Sequence, residues 1–207
     1  MTDRTPPNIV VIFADDMGYG DMGCNDPACR IPTPNLDRLA GRGMRFTDAH
    51  GASALCTPSR YSLLTGRYNW RSRLKRGIVW QWDAPLLEPD RPTVANFLKD
   101  QGYDTMCIGK WHLGWDWPTL DGRHPNETLP FGEHAGRDRT EYGETNIDYT
   151  GRIAGGPVDR GFDAYFGVDV PNFPPYTWFE DDRLTEQPTE QKPETMYGHP
   201  GRMAPGW

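Results

Sequence analysis

The sequence has few cysteines and no long apolar or basic run, and each shortage excludes a class of protein. Four cysteines in 207 residues are too few for a disulfide-stapled scaffold. No apolar run approaches the roughly 20 residues of a membrane span, and none resembles a signal peptide. A net charge of −7 argues against a nucleic-acid partner. As written, the chain is expected in the cytoplasm, or in the periplasm or secreted if its N-terminus is incomplete.

Glycine, proline and aromatic residues are instead abundant. The chain has 23 Gly and 20 Pro, together with eight Trp, nine Tyr and eight Phe. This aromatic content is higher than that of a disordered chain. We therefore expect a folded core with long structured loops. Cys24 and Cys29 bracket a short loop and would pair only in an exported protein; otherwise they are free thiols. Cys107 is expected to be a buried residue that packs in the core.

Apolar segments of strand character alternate with short helical patterns along the chain. The expected order is a strand over residues 7–16, a helix over 33–43, a strand over 44–50, a helix from Cys56 to Gly66, a helix over 93–102, a strand over 103–108 and a further strand over 159–168. Strands that alternate with helices indicate an α/β fold, with a mostly parallel central sheet flanked by helices.

The chain divides by composition into three parts. Residues 8–114 form the expected core, residues 115–160 a polar, Gly-rich insertion loop, and residues 161–207 a pocket rim followed by an exposed Pro-rich loop. Trp115 and Trp117 begin the insertion. They would either stack on a sugar ring or pack beneath the loop, and the sequence leaves both readings open.

Chemistry-bearing residues follow the strands at the carboxyl end of the predicted sheet, where ligands bind in α/β folds. Asp15 and Asp16 end the first strand, and Lys110 and His112 follow the strand over 103–108. Adjacent carboxylates repel each other unless a cation lies between them, and oxygen ligands suit Ca²⁺ or Mg²⁺. The alternative for the acidic pair is a turn cap beside a solvated acid. Lys110 and His112 alternate with Trp111, so a strand would place both on one face, although such a pair is often an exposed edge.

Cys56 stands at the start of a predicted helix and Arg60 one turn further on. A helix N-terminus stabilises an anion, either the Cys56 thiolate or a bound oxyanion. The planar guanidinium of Arg60 suits a tetrahedral oxyanion or the fixing of a nucleophile. The alternative is a small buried residue beside a surface arginine.

Four motifs together resemble the formylglycine-dependent type I sulfatases, in the arylsulfatase-like form. "CTPSRYSLLTGR" resembles the signature whose cysteine becomes formylglycine, and "NIVVIFADDMGYGDMGC" resembles the N-terminal metal strand. "TVANFLKDQGYDTMCIGKWHLG" and "RGFDAYFG" resemble two further landmarks of that family. The resemblance implies the alkaline-phosphatase-like sulfatase fold, and its order along the chain makes the match highly specific.

The resemblance implies a role for each matching residue. Asp15 and Asp16 would be calcium ligands, and Cys56, as formylglycine, would be the nucleophile and also touch the metal. Arg60 would hold the formylglycine hydrate, Lys110 would contact the sulfate, and His112 the formylglycine hydroxyl. One hydroxyl of a hydrated aldehyde attacks sulfur, and the other then drives the elimination that expels sulfate.

The resemblance also implies partners and exposes departures from the family pattern. The partners would be a sulfated small molecule or carbohydrate and the formylglycine-generating enzyme that reads "CTPSR".

The family's later Asp-Asn metal pair, its second His and Lys and its C-terminal subdomain have no counterpart here. We therefore expect an N-terminal portion of a sulfatase, with little or no activity alone. Two alternatives remain: a phosphonate or phosphate ester hydrolase of the same superfamily, and a non-catalytic fragment.

Overall fold

The computed structural model describes residues 6–124 and 146–207. The chain separates into two compact units, residues 1–50 and residues 51–207. The described helices are α1 (Pro34–Arg42), α2 (Cys56–Thr65) and α3 (Val94–Asp100). The described strands are β1 (Met106–Lys110), β2 (Ala164–Val168), β3 (Phe179–Glu180), β4 (Arg183–Leu184), β5 (Glu190–Gln191) and β6 (Arg202–Met203). None of these helices is long and apolar enough to cross a membrane.

Helix α1 of the first unit begins and ends where its sequence signals predict. Thr33 occupies the N-cap position, Pro34 is the first helical residue, and the Gly43 N–H closes the last turn on the Leu39 carbonyl, with N and O 2.9 Å apart. The Thr33 side chain does not cap the helix. Its hydroxyl instead accepts the Gly23 N–H at 2.9 Å and so holds the preceding loop.

Two predicted strands of the first unit are absent. Residues 8–14 and 44–50 form no strand, and Val10 and Ile12 are 83% and 79% exposed. Apolar character selects residues that suit a strand, but a strand forms only where a neighbouring backbone accepts its hydrogen bonds. Within the described part of this unit no segment pairs with either one, so both predictions of a strand were wrong here.

The second unit is built on a four-stranded sheet in the order β1-β2-β3-β4. β1 and β2 are parallel, with Met106 opposite Ala164 and Lys110 opposite Val168. The β2–β3 and β3–β4 pairs are antiparallel. The strands predicted over 103–108 and 159–168 are therefore confirmed in β1 and β2, and the α/β class with them. A mixed sheet arises because β3 and β4 form a hairpin added to the parallel pair.

Helices α2 and α3 of this unit form within one or two residues of their predicted ranges. Gly66 ends α2 in the left-handed conformation, with φ 65°. Thr93 caps α3 by accepting the Asn96 N–H. The apolar residues Val94 and Phe97 of α3 are 44% and 63% exposed, and Ala95 is the helix residue that is buried. The Thr93 hydroxyl fixes this orientation by donating to the Arg160 carbonyl at 2.7 Å.

An aromatic core fills the second unit. Trp115 lies at its centre, stacked on Phe179 with ring centroids 4.7 Å apart and fully buried. Trp117 packs edge-on against Trp82 at 4.9 Å. Trp115 and Trp117 are therefore buried core residues, and neither presents a face to a sugar. Ile153, from the same predicted insertion, is also fully buried.

The C-terminal segment is more ordered than the exposed loop that its composition predicts. β5 and β6 pair antiparallel, and the Ala204 N–H donates to the Tyr176 carbonyl at 2.8 Å. Met203 and Ala204 are buried. The prediction of a wholly exposed loop was wrong because these backbone bonds fold the segment onto residues near Tyr176.

Candidate active site

Cys56 is the first residue of α2, at the end where backbone N–H groups lack helical acceptors. The N-cap residue is Leu55, whose extended backbone leads into the helix and whose side chain offers no cap. The Ser59 hydroxyl donates to the Ser53 carbonyl at 2.7 Å and holds this approach to the helix in place. Cys56 is half-buried and begins the helix, and a helix N-terminus is a position that stabilises an oxyanion.

Thr57 connects the start of α2 to two distant segments. Its side chain is completely buried. Its hydroxyl donates to the His112 carbonyl at 3.0 Å and accepts the Val79 N–H at 3.1 Å. The residue after Cys56 thus fixes the helix start against the chain that follows β1.

Arg60 connects the same helix to the end of β1. Its Nη1 group donates to the Lys110 carbonyl. Lys110 is the last residue of β1 and is half-buried. Arg60 and Lys110 are therefore neighbours, as the convergence of strand ends predicts, with the guanidinium held by the backbone of the strand.

His112 lies beyond the strand in a turn, and its side chain is 2% exposed. Its φ of 56° takes the backbone out of the extended conformation. The prediction that Lys110 and His112 share one strand face was wrong for this reason. The His112 Nε2 lies 2.8 Å from the Val79 carbonyl. Because a carbonyl only accepts, Nε2 carries a proton, and Nδ1 is the acceptor nitrogen of the neutral ring.

Asp169 is a site residue that the sequence reasoning missed. It directly follows β2, is 6% exposed, and its Oδ1 accepts the His112 N–H at 3.2 Å. Burial raises the pKa of Asp169 to about 6, against the lowering effects of the Trp115 side chain, the His112 N–H and the Lys110 charge. Its position gave a usable signal, since an acid immediately after a predicted strand was the pattern that singled out Asp15 and Asp16.

Asp15 and Asp16 lie in the first unit, at the end of the exposed apolar segment. Both are exposed, and Asp16 has a φ of 56°. Their oxygen-only donor set fits a hard cation such as Ca²⁺, which takes six to eight oxygen ligands. Among the residues that the structure describes, no three His, Cys, Asp or Glu side chains are grouped to hold a metal. The pair therefore fits part of a cation site.

Cys107 does not compete with Cys56 as a nucleophile. Cys24, Cys29 and Cys107 are free thiols. Burial raises the pKa of Cys107 to about 11, and the charge of Arg60 opposes this rise. Because the thiolate is the reactive form, Cys107 is inert near neutral pH and packs against the core.

Comparison with known proteins finds similarity to sulfatases. The family model described as Sulfatase matches residues 7–187. The N-acetylgalactosamine-6-O-sulfatase of Bacteroides thetaiotaomicron is 48% identical over 108 residues, which cover 52% of this chain and 21% of that protein. Human arylsulfatase A is 51% identical over 109 residues, which cover 53% of this chain and 21% of that protein.

A solved structure from a study of glycosaminoglycan metabolism by Bacteroides thetaiotaomicron has a similar fold. It superposes with a TM-score of 0.67 at 33% identity and covers 93% of this chain. The chain spans 35% of that structure. The similarity therefore extends over nearly all of these residues, but over about a third or less of each protein compared.

Proposed function

The chain belongs to the sulfatase family, and on that premise we propose that the protein hydrolyses sulfate esters with a formylglycine made from Cys56. The observation that carries the proposal is the junction of α2 with the chain after β1. Thr57 bonds to the His112 carbonyl, and Arg60 bonds to the Lys110 carbonyl. These bonds hold the first turn of α2 against the backbone of Lys110 and His112, the two residues after β1 that the motifs single out.

Each side chain at this junction has a task that its chemistry permits. Lys110 places an ammonium group at the strand end, where it would bind a sulfate oxygen and stabilise the charge that develops there. Arg60 would hold the nucleophilic side chain in position with its planar guanidinium. His112, buried with Nε2–H fixed on the Val79 carbonyl, has Nδ1 as the nitrogen that would accept a proton.

The proposed chemistry also needs a formylglycine at position 56 and a divalent cation at Asp15 and Asp16. Formylglycine at position 56 would supply a hydroxyl nucleophile and a route for sulfate release that needs no attack of water on sulfur. Asp15 and Asp16 would hold Ca²⁺, or Mg²⁺ as the alternative, and such a cation would supply positive charge for a sulfate ester. The uncapped start of α2 supports the first assignment, and the oxygen-only donors support the second.

The proposed substrates are alkyl, aryl or carbohydrate sulfate esters. The names of the similar proteins span both aryl sulfates and a sulfated amino sugar, and their range supports this breadth. The proposed partner is the formylglycine-generating enzyme, which would act on the segment from Cys56 to Arg60. A sulfated small molecule or carbohydrate would then occupy the mature site.

Mass spectrometry of the tryptic peptide Phe46–Arg60 tests the modification in the whole protein from its native host. We expect a mass that corresponds to an aldehyde in place of the Cys56 thiol. The same preparation should hydrolyse 4-nitrophenyl sulfate faster than a 4-nitrophenyl phosphonate. Cys56→Ala should reduce the sulfate rate at least 1,000-fold because it removes the nucleophile.

Two results would contradict the proposal. An intact Cys56 thiol together with no sulfate hydrolysis would remove the formylglycine chemistry and favour a non-catalytic role. A phosphonate rate above the sulfate rate would assign the protein to the phosphonate and phosphate ester hydrolases instead. Thr105→Val serves as the control variant, since Thr105 lies at the opposite end of β1 and should leave the rate unchanged.

A further inference from the structure

We propose that the carboxylate of Asp169 positions the Lys110–His112 turn by accepting the His112 backbone N–H. This inference rests on the proposed function for its catalytic consequence, although the structural part is independent of turnover. Asp169 touches no atom assigned to substrate, so it is a positioning residue. Three features support the assignment: where the hydrogen bond lies, the backbone conformation it holds, and the burial of the acid.

The hydrogen bond lies where the parallel ladder between β1 and β2 ends. The ladder pairs Lys110 with Val168, and the Trp111 N–H still donates to the Val168 carbonyl at 3.0 Å. The next N–H, from His112, finds the Asp169 side chain instead of a backbone carbonyl. The carboxylate thus takes over the acceptor role of the strand at the residue where the chain turns away.

The conformation held at that point is uncommon for any residue other than glycine. His112 has a φ of 56°, in the left-handed region that only a few per cent of non-glycine residues adopt, Asn, Asp and His more often than the rest. Such conformations persist only where the surroundings fix them, and they cluster at active sites. Contacts fix His112 on three sides: its N–H to Asp169, its carbonyl to Thr57 and its Nε2 to Val79. Of these, the Asp169 contact acts on the peptide that joins Trp111 to His112.

The burial of Asp169 makes the charged form of its side chain energetically unfavourable. Asp169 lies out of water, and the groups that act on it are the Trp115 side chain, the His112 backbone N–H and the charges of Lys110 and Asp83. Tyr165 is a further titratable neighbour within electrostatic reach of the acid. An asparagine would fill the same volume and accept the same N–H without a buried charge. The acceptor oxygen and the charge can therefore be separated by substitution, and the proposal assigns the positioning to the acceptor oxygen.

Hydrogen exchange of the His112 amide tests the structural part in the whole protein, with no need for formylglycine, metal or substrate. In Asp169→Ala we expect the His112 amide to exchange at least tenfold faster, while the Trp111 amide keeps its protection on Val168. In Asp169→Asn the His112 amide should stay within threefold of the natural protein. Equal exchange at His112 in Asp169→Ala and the natural protein would overturn the proposal.

Steady-state kinetics on 4-nitrophenyl sulfate test the catalytic part. Asp169→Ala should lower kcat about tenfold or more with KM within twofold, and Asp169→Asn should recover most of kcat. An Asn variant as slow as the Ala variant would overturn the role of the acceptor oxygen. If the natural protein itself hydrolyses no sulfate ester, the proposed function fails while the exchange result still decides the positioning role.

Thr105→Val is the matched control for both measurements. Thr105 is a buried residue of the same strand pair whose hydroxyl contacts the Gly161 carbonyl at 3.1 Å and Asp163 at 2.9 Å. Its loss should lower stability yet leave kcat and His112 exchange unchanged. A comparable loss of kcat in this control would reduce Asp169 to a general stabilising residue. Asp169→Ser, whose hydroxyl is too short to reach the His112 N–H, replaces the Ala variant if that variant does not fold.

Discussion

Thr57 shows how one hydroxyl can join the parts of the candidate site. Its buried oxygen is the shared partner of the His112 carbonyl and the Val79 N–H. Val79 in turn accepts from the His112 ring, so the three residues form a closed set of hydrogen bonds. The residue beside Cys56 therefore contributes to the site through its side chain, apart from any part it has in the recognition of "CTPSR".

Thr57→Val should destabilise the protein by about 2 kcal/mol. Valine has the same shape, but it leaves the Val79 N–H and the His112 carbonyl without their partner inside the fold. Urea denaturation measures the change in the free energy of unfolding. Thr57→Ser keeps the hydroxyl and should recover at least half of the loss; a Ser variant as unstable as the Val variant would show that packing dominates at this position.

The sequence could identify residues whose chemistry is local, and it missed residues whose role depends on distant partners. Cys56 and Arg60 are recognisable because a helix start and a one-turn spacing are short-range features. Thr57 lies within the same motif, but its partner His112 is 55 residues away. Asp169 lies 57 residues from the N–H that it accepts. No single-sequence pattern places such pairs together.

At the scale of elements, the β1–β2 pair depends on two glycines that face each other. Gly109 and Gly167 are paired in the parallel register, and Gly109 has a φ of 100°. A Cβ on Gly167 would overlap the Gly109 carbonyl oxygen and crowd the Tyr165 hydroxyl. The close approach of these strands therefore requires a residue without a side chain at position 167.

Gly167→Ala should lower the free energy of unfolding by roughly 1–3 kcal/mol, because the strands must separate to admit the methyl group. Thermal or urea unfolding of the variant measures the change. Gly41→Ala in α1 is the matched control, since nothing lies within 4 Å of its Cβ position, and a helical alanine should stabilise by roughly 0.5–1 kcal/mol. A Gly167 variant as stable as the control would contradict the close packing of β1 and β2.

Helix boundaries were predictable because their signals are contained in a few neighbouring residues. Pro34 begins α1, and Gly66 ends α2 with a positive φ. Strands were less predictable, because a strand also needs a partner that its own residues do not specify. The segments over 103–108 and 159–168 paired with each other, while those over 7–16 and 44–50 have no strand partner within the described residues.

At the scale of the whole molecule, the identity of the core residues could not be predicted from hydrophobic periodicity in the sequence. Trp111, Trp115 and Trp117 are buried, yet they follow β1 in turns and short bridges that repeat with no helical or strand period. Their burial comes from contacts with Phe179 and Trp82, from segments distant in the chain. The aromatic content predicted that a core exists, but only the folded chain shows that residues after position 114 share it with residues from Tyr61 to Leu113.

Two acids of the second unit make opposite contributions to stability as the pH changes. Burial raises the pKa of Asp169 to about 6, while Lys99, at 2.5 Å, helps lower the pKa of Asp163 to about 2. An acid with a raised pKa binds its proton more tightly in the folded state, so its contribution to stability falls as the pH rises from 3.8 to 6. Asp163 contributes stability above pH 3.8 that is lost as the pH falls through 2.

Asp169→Asn should therefore become more stable relative to the natural protein as the pH rises. Ionisation of buried Asp169 costs on the order of 3 kcal/mol in full, and about 2 kcal/mol of this develops between pH 4.5 and 7.5. Urea denaturation across that range measures the gap in the free energy of unfolding. For Asp163→Asn the gap should stay constant over the same range, because Asp163 is ionised in both states there. A constant gap for Asp169→Asn would mean that Asp169 is not held in a buried, poorly solvated site.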